Sequence, residues 1–192
     1  MSDPDLPNAV VAERTQETVE SLESFFGTVA QQATRFARSI APQWWDAEEM
    51  VQEACFRMMR AEQANSGVVP SHSRKAYLFR TIRNLAIDRQ RKASRRPVEN
   101  RPLDALPAEN DQCPGQQQRR LRRMEQAIES SCATMPSGWA DALKMKVNGK
   151  LSYADIAEAL GATPDQVRGW IYRARKQLAR DLQQQGLMET ER

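Results

Sequence analysis

Apolar residues recur near the start of the chain at Val19, Leu22, Phe25, Phe26, Val29, Ala33, Phe36 and Ile40, a three-and-four spacing that lines up along one stripe of an α-helix. The pattern predicts a first helix over residues 15–40. Pro42 ends it, because proline has no amide hydrogen to donate and its ring clashes with the preceding turn. A second stripe, Val51, Ala54, Cys55 and Met58, runs to about residue 61 and opens at Asp46, with Glu49 three residues on as an N-cap signature. Trp44 and Trp45, just ahead of it, read as a hydrophobic staple. A loop follows through Asn65, Gly67 and Pro70, and the only histidine, His72, has no neighbour there that would make it a ligand or a base. Residues 74–93 set Tyr77, Leu78, Ile82, Leu85, Ala86 and Ile87 opposite a row of basic side chains, a helix with one buried and one cationic face.

The pattern then breaks. Residues 96–118 hold Pro97, Pro102, Pro107, Pro114 and Gly115 among polar residues and predict a flexible linker between two domains. Beyond it, Leu121, Met124, Ala127, Ile128 and Cys132 mark a helix, and Ser137 is expected to cap another through Ala142, Leu143 and Val147, stopped at Asn148-Gly149. Ser152 with Asp155 forms a capping box over Ile156, Ala157 and Leu160, and Gly161 permits a tight turn. Thr163, Pro164 and Gln166 then supply an N-cap, a proline at N1 and a glutamine at N3 for a last helix through Val167, Ile171, Ala174, Leu178 and Leu182. No strand-period alternation and no repeat occurs, so the expected fold is all-α: one helical domain over residues 15–95, the linker, and a second over residues 119–185.

Charge changes this picture more than composition does. Overall, 28 Lys and Arg against 25 Asp and Glu is nearly balanced. Residues 1–62, however, carry eleven acids against five bases, whereas residues 74–96 carry nine bases against the single acid Asp88, which suits a polyanion partner. Three cysteines, Cys55, Cys113 and Cys132, lie far apart with no Cys-x-x-Cys pair, so neither a disulfide framework nor a metal site is indicated. No secretory leader and no stretch near the ~18 apolar residues of a membrane span is present. A cytoplasmic protein without membrane insertion is expected.

The last two helices have helix-turn-helix form: a short helix, a turn with glycine, and a second helix whose Arg168, Tyr172, Arg173, Arg175, Lys176 and Arg180 are expected to face outward. Arginine can grip guanine O6 and N7 with two hydrogen bonds, and further along the helix the same cations neutralise phosphates. Gly169 within that helix costs ~1 kcal/mol against alanine and allows a close backbone approach to DNA.

Three ordered motifs narrow the reading. Asp46-Ala47-Glu48-Glu49-Met50-Val51-Gln52-Glu53, Tyr77-Leu78-Phe79-Arg80-Thr81-Ile82-Arg83-Asn84-Leu85-Ala86-Ile87-Asp88, and Leu151-Ser152-Tyr153-Ala154-Asp155-Ile156-Ala157-Glu158-Ala159-Leu160-Gly161 followed by Tyr172-Arg173-Ala174-Arg175 resemble, segment by segment, the bacterial extracytoplasmic-function sigma factors of the sigma-70 family. The recognition helix departs from the family pattern at Asp165-Gln166 and Gly169-Trp170, which leaves the promoter sequence unread.

The resemblance implies a non-catalytic subunit of RNA polymerase that works without cofactor or metal, as a monomer. Asp46, Glu48, Glu49, Met50, Val51, Gln52, Glu53 and Phe56 would bind the clamp coiled coil of the polymerase largest subunit, and the second domain would reach the flap of the second-largest. Arg74, Lys75, Tyr77, Arg80, Arg83, Asn84 and Arg91 would hold the melted minus-10 element, Asn84 at a flipped base. Arg168, Gly169, Tyr172, Arg173, Arg175 and Lys176 would read duplex minus-35 DNA. An anti-sigma factor, often membrane-bound in the family, is expected as inhibitor. Two other classes remain. A regulator that binds DNA alone would usually dimerise, and no apolar stripe is left over for that. An enzyme acting on DNA would need a metal-binding carboxylate cluster or an activated nucleophile, whereas the acids here sit in a capping context.

Overall fold

A computed structural model describes residues 6–41, 46–64, 71–95 and 116–188 of the chain. Seven helices and no strand account for the regular structure among the described residues: α1 Leu6–Ile40, α2 Ala47–Ala64, α3 Ser71–Arg95, α4 Gln116–Thr134, α5 Ser137–Val147, α6 Tyr153–Leu160 and α7 Pro164–Gln184. The side chains of Val19, Trp44, Trp45 and His72 fall outside the description, as does most of the expected linker.

The all-α expectation holds, with shifted ends. α1 begins at Leu6, nine residues before the expected start at residue 15, and the expected linker's last residues, 116–118, already belong to α4. Ser137 caps nothing: it is the first residue of α5, and Pro136 holds the cap position without a side-chain bond. The other caps form as predicted. Asp46 Oδ1 accepts from the amides of Glu48 and Glu49 at 2.8 and 3.3 Å. Ser152 and Asp155 close a reciprocal capping box on α6, and Thr163 and Gln166 close another on α7 behind Pro164. Gly161 ends α6 at φ 66, a left-handed conformation open to glycine without a Cβ penalty.

The predicted apolar stripes become the interior. In the first half, α1, α2 and α3 pack on one another through Leu22, Val29, Ala33, Phe36, Met50, Ala54, Met58, Leu78 and Ile82, all buried. In the second, α7 packs on α4, α5 and α6 through Val167, Ile171, Ala174 and Leu182. The halves also meet, α3 on α6 and α1 on α5. Phe79 of α3 is the hinge of this contact: its ring lies 5.2 Å from that of Phe36, and its other edge is against Gly149, where a Cβ would come within 2.6 Å of the ring. Complete burial of such a side chain contributes ~1.5–3 kcal/mol.

Candidate nucleic-acid and protein-docking surfaces

The start of α2 combines a capping acid with exposed carboxylates. Asp46, Glu48, Glu49 and Gln52 face solvent, Glu53 is half-buried, and Phe56 keeps 50% of its surface exposed. Acids in a first turn complement the positive end of the helix dipole. Basic neighbours partly neutralise them: Arg38 pairs with Glu48 at 3.0 Å, Arg89 with Glu49 at 3.5 Å and Arg57 with Glu53 at 2.7 Å. Met50 and Val51 are corrected here. Their relative exposures of 0% and 8% put them in the interior against α1 and α3, where they hold the acidic face in place and cannot meet a partner. The exposed face is therefore Asp46, Glu48, Glu49, Gln52, Glu53 and Phe56.

Along α3 the residues grouped as one cationic face separate into three environments. Arg74 is buried, its Nε donating to Glu62 Oε1 at 2.8 Å, and it serves the junction of α2 and α3. Lys75 and Tyr77 are half-buried, while Asn84 and Arg91 are exposed. Arg80 and Arg83 turn toward the second half of the chain. The guanidinium of Arg80 donates to the carbonyls of Glu158 and Ala159 in the last turn of α6, and Arg83 Nε donates to Asp141 Oδ2 of α5 at 2.6 Å.

The helix-turn-helix of α6 and α7 is assembled as the capping signals require, with Ile156, Ala157, Val167 and Ile171 buried between the helices. Arg168, Tyr172, Arg173, Arg175 and Lys176 are exposed on α7, Tyr172 at 66%. Two of these arginines are steadied by aromatic rings that the sequence reading passed over. Arg168 lies 5.6 Å from the centre of Tyr153 and pairs with Asp165 at 2.7 Å, and Arg173 lies 5.4 Å from that of Trp139. Stacking of this kind orients a guanidinium and leaves its donors outward. A Cβ on Gly169 would make only an ordinary contact, 3.7 Å, with Arg173, so no packing within the chain requires glycine there. The sequence reading also passed over Arg119, Arg120, Arg122 and Arg123, which gather at the start of α4 beside Gly186 and Leu187 and set more positive charge beside the far end of α7. Their run was visible in sequence, but its place beside α7 was not.

Among the described residues no group of His, Cys, Asp and Glu could hold a metal ion. Cys55 and Cys132 have their thiols pushed up by burial, away from the reactive thiolate form. No described helix is long and apolar enough to cross a membrane.

An exposed acidic face on α2, a helix rich in basic residues and a capped helix-turn-helix on one chain define an all-helical protein of two helical units. The Sigma-70 region 2 family model matches residues 25–96, and the Sigma-70, region 4 family model matches residues 125–178. The chain belongs to the sigma-70 family of sigma factors, with the two-region layout of the extracytoplasmic-function type. Among solved structures it is similar to the sigma factor RpoE, crystallised in complex with the anti-sigma factor NepR from Bartonella quintana, at a TM-score of 0.58 and 20% identity over 85% of this chain and 98% of that one. No curated protein matches the chain.

Proposed function

We propose that this sigma factor binds core RNA polymerase through the start of α2 and directs initiation from signal-responsive promoters, reading minus-35 DNA with α7 and melted minus-10 DNA with α3. The observation that carries this reading is the separation of charge: exposed carboxylates on α2, and exposed Arg168, Tyr172, Arg175 and Lys176 on a doubly capped recognition helix. Asp46, Glu48, Glu49, Gln52, Glu53 and Phe56 dock on the clamp coiled coil, with region 4 reaching the flap. On α3, Lys75, Tyr77, Arg80, Arg83, Asn84 and Arg91 hold single-stranded DNA by phosphate neutralisation, stacking and base-edge hydrogen bonds. Residues 15–95 and 119–185 are the two functional domains. The polymerase performs the chemistry, so the chain needs no cofactor and is not itself an enzyme. Control by an anti-sigma factor, membrane-associated or soluble, is supported by the complex in which the similar RpoE was crystallised.

Co-purification with core polymerase tests the reading directly. The wild-type chain is expected to co-elute in a stoichiometric complex, and the Asp46→Arg/Glu49→Arg double variant is expected to be lost from it while remaining folded by circular dichroism. A monomeric wild type that never binds core polymerase would instead fit a regulator that binds DNA alone.

A further inference from the structure

Arg173 of α7 is held from outside the helix-turn-helix. Its guanidinium carbon lies 5.4 Å from the centre of the Trp139 ring, in the first turn of α5, and its exposed side chain makes no hydrogen bond or ion pair among the described residues. Stacking therefore orients the guanidinium while all of its N–H donors stay available. Trp139 is itself fixed. It is half-buried against the core, its amide donates to the Pro136 carbonyl at 2.9 Å, and the neighbouring Gly138 faces the ring of Trp170, which a Cβ there would meet at 3.6 Å. α7 is thus clamped to the start of α5 at two points, Trp170 on Gly138 and Arg173 on Trp139. Gly169 leaves the path of Arg173 clear. Helix side chains lean toward the N-terminus, so residue 173 passes over residue 169. A Cβ on Gly169 would lie 3.7 Å from Arg173 Nη2, an ordinary contact, whereas a longer side chain there would compete for the space that the guanidinium crosses. By contrast, Arg175 and Lys176 have neither ring nor carboxylate contact among the described residues. A cation free to swing neutralises the phosphates of any sequence; one fixed in direction can discriminate, because two hydrogen bonds to guanine O6 and N7 need a set approach.

Given the assignment of α7 to minus-35 DNA made above, on which this rests, we infer that Trp139 is a positioning residue for base reading: it holds Arg173 folded back across Gly169, and α5 thereby sets the base preference at one position of the duplex that α7 reads. An arginine that grips a base must give up rotamer freedom. With Arg173 already stacked, much of that freedom is absent in the free protein, and less is lost on binding. Trp139 need not touch DNA to have this effect. Because the ring acts through a single guanidinium, its influence is confined to the base pair that this guanidinium contacts, and the phosphate contacts of Arg175 and Lys176 do not depend on it.

The test uses the tagged full-length chain, with core polymerase added, and a pool of random-sequence duplexes sequenced before and after capture. Wild type is expected to recover a preferred sequence, and Arg173→Ala to lose the preference at one base pair of it by about tenfold. Trp139→Ala is expected to relax that same pair, and no other, by about three- to fivefold, the worth of an exposed cation–π contact. Trp139→Phe, which keeps an aromatic face, is expected to restore most of the preference, and Trp139→Ala/Arg173→Ala to lose no more than Arg173→Ala alone. A merely structural role for Trp139 would lower the recovery of every sequence alike and leave the preference at that pair intact, which would overturn the inference. So would a double variant whose losses add in full, or an Arg173→Ala chain that keeps its base preference. Recovery of no preferred sequence by wild type would remove the reading of α7 on which the inference stands, whereas a wild-type preference untouched by Trp139→Ala would overturn the inference alone.

Discussion

Arg74 and Glu62 form an ion pair at 2.8 Å with side chains 9% and 3% exposed, at the point where α2 gives way to α3. Removing Arg74 from such a pair leaves the Glu62 carboxylate buried without its ion-pair partner, which costs about 3–5 kcal/mol. Arg74→Ala is therefore expected to lower the urea midpoint severely, whereas Glu53→Ala, which removes only the half-exposed partner of Arg57, is expected to cost ~0.3–0.5 kcal/mol. A small loss for Arg74→Ala would show that the Glu62 carboxylate finds water or another donor. The residue scale is also where sequence reasoning is weakest. Arg74 and Arg91 look alike as basic residues of one helix, and only the helix phase against α2 decides that the first is interior and the second is surface. Met50 and Val51 illustrate the same limit: apolar residues inside an acidic motif can contact a partner or anchor the motif, and burial assigns them to the anchor.

At the scale of the element the sequence carries most of the information. Three N-terminal caps were legible because capping is local: an oxygen-bearing side chain satisfies an amide two or three residues ahead, with no tertiary help. Ser137 fails as a cap because Pro136 already holds the extended conformation before α5. For α7 the caps hold Arg168 in the first turns and Lys176 further along. Arg168→Ala is expected to lose ~1–3 kcal/mol of promoter binding and relax selectivity at one base. Lys176→Ala is expected to weaken cognate and scrambled duplexes alike and reduce the salt slope of binding by about one unit. Parallel salt titrations on both duplexes check this, and identical effects of the two substitutions would refute the division. The exposed Arg168–Asp165 pair is a weak competitor for DNA, since both side chains are largely hydrated.

At the scale of the whole molecule, Phe79 ties the halves together, and a shared buried ring couples their unfolding. Calorimetry on the free chain is expected to show one cooperative transition, and Phe79→Ala, which removes a side chain worth ~3–5 kcal/mol in a core, is expected to split it into two. Two separated transitions in wild type would mean that the halves fold without reference to each other. The sequence by itself determined the helical class, the elements between Asp46 and Leu182 to within a few residues, three of their N-terminal caps and the family. All of these follow from periodicity, local hydrogen bonding and motifs read within a few turns of chain. The tertiary structure alone decided which cations are free and which are spent, and which apolar residues anchor the acidic face. It also decided that the two halves close on α3 through Phe79, Arg80 and Arg83. Those partners lie tens of residues apart along the chain, and the contact depends on the rotational phase of α3 against α5 and α6, for which a one-dimensional pattern carries no term.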